Sequence, residues 1–216
     1  SIMASLVGHC QVGPAHEQES HESRMSSFFE RYKDAHEDVI LAEGIEKLCA
    51  DLGVSVLDPV TLALARKCSA ARMGVFTMEE FTRGMTQLGV DAPSALQAKV
   101  PELRGMLVCA AACKDVYAYT FRFALDEGQR CLPLELAVEF WKLFLADRFA
   151  LLEDWLAFAE RNCKAMISHD LWMMVWDLAT TVSPDLSDFE YDGAWPSLID
   201  DFVKEKTSGQ RGPLAK

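Results

Sequence analysis

A chain of 216 residues, half of them hydrophobic, is long enough to bury a core without support from metal or disulfides. Its formal net charge of −12 and pI near 4.8 argue against nucleic acid or an anionic membrane as main partner, since both attract basic patches, and favour a basic protein surface. The seven cysteines are scattered, with no C-x-x-C pair and no zinc spacing, and no apolar run approaches the ~18 residues of a membrane span, so the expectation is a globular protein with reduced thiols in cytoplasm and nucleus.

Residues 1–23 mix Gly, Pro, His, Glu and Ser without sustained periodicity and are expected to form a flexible arm, in which Ile2 to Val7 is a short apolar run. From Ser26 onward helix signals follow one another and strand signals are scarce. Phe28, Phe29 and Tyr32 mark a first helix, and Ala42 to Leu52 a second that stops at Gly53. Asp58-Pro59 caps and starts a third, through Leu62, Leu64 and Ala65. Thr77-x-x-Glu80 is a capping box for a fourth, ending at Gly89. Ser94-x-x-Gln97 repeats that signal and predicts one long helix through Leu103 and Leu107, joining two halves. Val116, Tyr119 and Phe123, then Leu136, Phe140, Trp141 and Phe144 after Pro133, predict the next pair. Leu152, Trp155 and Phe158, then Trp172, Val175 and Trp176, predict another. A disordered tail is expected over 206–216. The predicted class is all-α.

The spacing around Gly74 adds to this. With Ser69 as loop position one, Gly74 stands at six, Phe76 at eight and Glu80 at twelve, the frame of an EF-hand between two apolar helices. Positions one, three and five are Ser69, Ala71 and Met73, which offer a hard cation no carboxylate, so no calcium is expected there. Looser versions recur around Ile40, Leu132 and Ile167, giving two EF-hand-like helical lobes without calcium sites. A groove between such helices, lined by aromatics, suits a peptide.

The last segment combines anchor and charge. Between Asp185 and Val203 lie six acids and no base, while Trp195, Leu198, Ile199 and Phe202 recur at helical spacing after Pro196. Asp192-Gly193 predicts a turn. His169 beside Asp170 has the residue types of an acid–base pair, yet no nucleophile with its own orienting group lies near it in sequence. Cys109 and Cys113 read as packing residues. Taken alone, Phe123, Phe140 and Leu143 with Leu64, Ala65 and Phe76 are most simply core.

Phe29-x-x-Tyr32, Glu43-Gly44-Ile45, Glu80-Phe81-x-x-Gly84-Met85, Phe121-x-Phe123-Ala124, Ile167-Ser168-His169-Asp170-Leu171-Trp172 and, above all, Gly193-Ala194-Trp195-Pro196-x-Leu198-Ile199-Asp200-Asp201-Phe202-Val203 resemble the potentiating-neddylation (PONY) domain of the defective-in-cullin-neddylation family. The resemblance spans residues 24–205, with an N-lobe over about 24–108 and a C-lobe over about 109–205. It implies a scaffold-type ligase component with no catalytic residue, no cofactor and no metal. One surface would bind the winged-helix domain at the C-terminal end of a cullin, through Asp170, Ala194 and Asp200. An apolar pocket would take the acetylated N-terminal methionine of the NEDD8-conjugating E2, lined by Ile45, Leu64, Ala65, Phe76, Phe123, Phe140 and Leu143. A RING-box protein would share the assembled complex. Three positions depart from the family pattern and bear on which conjugating enzyme is preferred: Arg66 stands where Trp is frequent, Cys68 replaces a pocket aromatic, and Phe140 lacks a tyrosine hydroxyl. Two other readings are a calcium-independent EF-hand-like adaptor for some other amphipathic peptide, and a thiol transferase using Cys109 or Cys163.

Overall fold

The structure is a computed structural model that describes residues 14–163, 166–191 and 193–210, with side chains described from residue 21 to residue 208 within them. The chain runs α1 (Pro14–Glu30), β1 (Val39–Ile40), α2 (Ala42–Leu52), α3 (Val60–Cys68), β2 (Phe76–Thr77), α4 (Met78–Leu88), α5 (Pro93–Gln97), α6 (Val100–Val108) and α7 (Ala110–Phe123). It continues through β3 (Cys131–Pro133), α8 (Leu134–Leu145), α9 (Leu152–Asn162), β4 (Met166–Ser168), α10 (His169–Thr181) and α11 (Ser197–Gln210). The four loop residues singled out in the sequence meet in pairs across antiparallel two-stranded ribbons, Ile40 opposite Phe76 and Leu132 opposite Ile167. Each ribbon ties two helix–loop–helix units into one lobe.

In the N-terminal lobe Phe28 and Phe29 of α1 pack edge-on against Phe81 of α4, with ring centroids 5.0 and 5.7 Å apart. Two glycines permit the close helix approaches around this core. A Cβ on Gly84 would collide with the Cys68 side chain and lie 3.0 Å from the Cys68 backbone, so α4 can lie directly on α3 only with hydrogen at that position. A Cβ on Gly44 would run into the Tyr32 carbonyl. Thr77 and Glu80 form the expected capping box.

The C-terminal lobe is built on stacked indoles. Tyr117 stacks on Trp172 at 4.1 Å, Trp172 on Trp141 at 6.0 Å, and Trp141 meets Trp155 at 5.5 Å, which in turn meets Phe202 of α11 at 5.3 Å. Most polar tips inside the stack are paired: the Tyr117 hydroxyl donates to Trp172 O at 2.6 Å and accepts from Trp141 Nε1 at 3.0 Å, and Trp172 Nε1 donates to Tyr117 O at 3.1 Å, whereas the buried Trp155 Nε1 has no partner among the described residues. One continuous train of rings therefore fixes α11 relative to α10.

Three expectations are corrected. The chain is helical from Pro14, so residues 14–23 extend α1 instead of forming an arm; residues 1–13 lie outside the described residues. The apolar periodicity starts only at Met25, which is why this polar stretch of helix left no stripe to read; Arg24 and His21 reach Asp91 at 2.6 and 3.4 Å. The long connecting helix is broken into α5 and α6, because Pro101 has no N–H for the Gln97 carbonyl and its ring would clash there. Ala92 is the N-cap of α5, without a side-chain hydrogen bond, so Ser94-x-x-Gln97 forms no capping box. At the other end α11 runs on to Gln210, so the first five residues of the expected tail are helix, and 211–216 lie outside the described residues.

Candidate protein-interaction sites

The two predicted acids stand in comparable places. Ser168 caps α10, its hydroxyl accepting from Leu171 N at 3.2 Å, which puts Asp170 in the first turn and exposed. Asp200 lies in the first turn of α11, where the Pro196 carbonyl accepts from both Ile199 N and Asp200 N. Each carboxylate therefore faces the positive end of a helix dipole. Asp200 is half-buried, and its Oδ1 is closed off from solvent with no hydrogen-bond partner. Ile199, Phe202 and Val203 hold the helix by their full burial, with Phe202 wedged between Trp155 and Phe158.

Ala194 is exposed on the non-helical approach to α11. Beside it Trp195 stacks on Phe189 at 5.3 Å, and Gly193 leaves room for that indole: a Cβ there would come within 2.9 Å of the ring. The predicted turn at Asp192 falls outside the described residues. Upstream, two serine–aspartate pairs brace the loop, Ser183 with Asp188 and Ser187 with Asp185, and these hydrogen bonds hold both carboxyls below their ordinary range. Asp201, next to Asp200, is exposed and lies 3.6 Å from Lys204.

The seven predicted pocket residues come from five elements: Ile45 from α2, Leu64 and Ala65 from α3, Phe76 from β2, Phe123 from the end of α7, and Phe140 and Leu143 from α8. Phe76, Phe123 and Phe140 are buried, Ile45 is half-buried, and Leu143 is the most open at 36%. What the structure visibly joins is α3 with α7. Arg66 grips Asp115 with a forked guanidinium at 2.8 and 3.1 Å and lies over the Tyr119 ring, which stacks on Phe123 at 5.1 Å. The Tyr119 hydroxyl donates to Ala70 O at 2.7 Å, and Met73 N donates to Phe123 O at 3.0 Å. Sequence reading named Arg66 and Tyr119 without seeing this clamp, since an Arg–Asp pair 49 residues apart leaves no local pattern. A cavity of about 350 Å³ opens beside it, lined by Ala71, Arg72, Val75, Thr77, Glu80, Leu125 and Glu127, and it includes none of the seven.

Three of the thiols are buried and poor nucleophiles. Burial pushes the Cys68 thiol up to about 12 and also raises those of Cys113 and Cys49. Cys109 is exposed, at the joint between α6 and α7. His169 is exposed and makes a T-shaped ring contact with Phe121, with centroids 5.0 Å apart.

Residues 95–205 match the family described as "Cullin binding", a stretch that contains Asp170, Ala194 and Asp200. DCN1-like protein 3 of Homo sapiens is 40% identical over 209 residues, covering 92% of this chain and 69% of that protein, and the protein of the same name in Bos taurus matches equally. The chain belongs to the defective-in-cullin-neddylation (DCN1-like) family. A fungal relative, Defective in cullin neddylation protein 1 of Yarrowia lipolytica, is 35% identical over 185 residues, 84% of this chain and 77% of its own length.

Proposed function

We propose that this DCN1-like chain acts in cullin neddylation as a non-catalytic scaffold, binding a cullin and the NEDD8-conjugating E2 together so that NEDD8 passes from one to the other. The observation that carries this reading is that the segment matching the cullin-binding family includes both first-turn acids and the anchored approach between them. Asp170 and Asp200 would meet basic groups on the cullin winged-helix domain, and the small side chain of Ala194 would let the partner backbone approach. Both acids are pre-placed by helix caps and packing, so a charge-assisted contact there costs little ordering entropy. The work of such a scaffold is positional: holding thioester and acceptor lysine together turns a bimolecular encounter into a nearly unimolecular one. The cysteine that carries NEDD8 would belong to the conjugating enzyme.

The second surface would be an apolar pocket between the lobes, walled by Phe123, Phe140 and Leu143 opposite Leu64 and Ala65, with Ile45 and Phe76 at its base. It would prefer an acetylated methionine, because a free α-amine buried without a partner costs more than a methyl group returns. The complex would include a RING-box protein, work in cytoplasm and nucleus, and need no calcium. The test is a cullin neddylation assay with the Asp170→Lys, Asp200→Lys double variant. Stimulation should be lost while helical content and acetyl-peptide affinity stay at wild type; wild-type stimulation by the folded double variant would overturn the reading. Fluorescence polarisation with acetylated and unacetylated E2 peptides tests the pocket, where Phe123→Ala should cost roughly 1–3 kcal/mol.

A further inference from the structure

α6 ends and α7 begins at a single shared residue, Cys109, whose backbone is extended at φ −65 and ψ 119. A one-residue joint by itself sets no angle between the lobes on either side. Two clamps set it. One is the α3–α7 contact described above. The other is Arg148, three residues beyond the end of α8, which reaches across to the last turn of α6.

There its Nη2 donates to Leu107 O at 2.6 Å and to Val108 O at 3.2 Å, while Nη1 donates to Phe144 O at 3.3 Å. Leu107 and Val108 are the two residues immediately before the joint, and their carbonyls are among the four that a helix end leaves without an internal partner. The guanidinium also lies 6.0 Å from the centroid of Trp176 on α10, so one side chain bridges α6, α8 and α10. Two nitrogens of one rigid, planar guanidinium thus hold three carbonyls at once, a fixed geometry that a flexible ammonium does not reproduce.

We infer that Arg148 is a positioning residue for the groove between the lobes. α8 carries Phe140 and Leu143 on one face, and Arg148 holds the C-terminal end of that helix against the N-terminal lobe, which supplies Leu64 and Ala65. The bonds it makes go to Phe144, Leu107 and Val108 and not to the apolar wall residues, so its effect on the groove runs through the angle it enforces. The inference rests on the acetyl-methionine reading of that groove. Releasing Arg148 lets the lobes sample open angles, so that only a fraction of molecules presents a closed groove, and the apparent dissociation constant rises by the inverse of that fraction.

The experiment is stopped-flow and equilibrium fluorescence with a labelled acetylated E2 peptide, on wild type, Arg148→Gln and Arg148→Lys. For Arg148→Gln the dissociation constant should rise roughly three- to tenfold, with the whole change in the apparent association rate and the dissociation rate unchanged, as a smaller competent population requires. Arg148→Lys, which keeps the charge but loses the fork, should fall between. Cullin affinity and helical content should stay at wild type, since Asp170, Ala194 and Asp200 all lie within one lobe. Wild-type association by folded Arg148→Gln overturns the inference. So does a faster dissociation rate at unchanged association, which would make Arg148 a peptide contact. If Arg148→Gln does not fold, Arg148→Lys takes its place: slower association at unchanged dissociation supports the inference, and either of the two contrary results overturns it. Failure of the wild-type chain to bind the acetylated peptide at all would instead remove the pocket reading, and this inference with it.

Discussion

Asp200 is the residue at which binding and stability should separate. In the free protein its Oδ1 is buried without a partner while the residue as a whole sits half-exposed in the first turn of α11, so the charge is held by the helix terminus and a donor from outside can approach only from the exposed side of the residue. Asp200→Asn keeps the shape and removes the charge. The folded chain loses a dipole interaction of about 0.3–1 kcal/mol and is relieved of a comparable cost of holding a charged oxygen out of water, so its stability should stay within about 1 kcal/mol of wild type. Cullin binding loses a charge-assisted hydrogen bond, about 1.5–3 kcal/mol, or roughly 10- to 150-fold in affinity. Phe202→Ala supplies the contrast. That ring is 1% exposed between Trp155 and Phe158, so its loss should destabilise the fold by about 3–5 kcal/mol and weaken cullin binding only by loosening α11. Urea unfolding with isothermal titration against a cullin C-terminal domain measures both quantities. Asp200→Asn with wild-type cullin affinity would refute the contact, and a stability loss above about 2 kcal/mol, beyond the dipole term, would show that Oδ1 serves the fold.

Three further outcomes follow from the packing. Gly84→Ala should destabilise by about 1–3 kcal/mol in chemical denaturation, because the added methyl meets Cys68 and only a shift of α4 away from α3 relieves it. Tyr117→Phe should cost about 1–3 kcal/mol by the same assay, since it leaves the fully buried Trp141 Nε1 without its acceptor. The Asp51 carboxyl accepts from the Tyr32 hydroxyl and the Arg31 guanidinium, which hold it below the ordinary aspartate range. A lowered folded value gives stability that is present above the unfolded value and lost as pH falls through the folded one. Denaturation midpoints of wild type and Asp51→Asn should therefore differ at pH 7 and converge below about pH 4.

How much of this was legible in the sequence follows the range over which each interaction acts. α2 and α4, and the start of α3, were readable almost to the residue, because Gly53, Asp58, Thr77, Glu80 and Gly89 act on backbone within a turn of themselves. α1 was foreshortened, since polar helix held by Arg24 on a distant aspartate carries no periodic signal. The α5–α6 break was missed even though Pro101 announced it, because the apolar spacing ran straight through the proline. Of the two acids proposed to meet the cullin, the Ser168 cap beside Asp170 was readable and the closed-off Oδ1 of Asp200 was not; burial of one carboxylate oxygen is a property of neighbours far along the chain. The same holds for the inter-lobe clamps, where Arg66 finds Asp115 and Arg148 finds Leu107 across 49 and 41 residues.

The fate of Glu80 connects the loop to the job. At the twelfth position of the frame that starts at Ser69, a calcium loop would turn both carboxylate oxygens of this residue on the ion. Here Oε1 accepts from Ala71 N at 2.8 Å and Oε2 from Thr77 N at 2.9 Å, so the carboxylate already closes the loop and caps α4 using backbone donors alone. On the calcium-independent reading proposed above, a loop closed by its own side chain reaches its folded shape without an ion. The same loop then hands Met73 N to Phe123 O and Ala70 O to the Tyr119 hydroxyl, which seats the N-terminal lobe on α7. A calcium-driven version would make that seating conditional on the ion; this one fixes it. For the scaffold proposed above, which would hold two partners at a set separation, a permanently set angle is the useful state, and the residues to vary in testing that proposal are those that hold the angle and those that end in it.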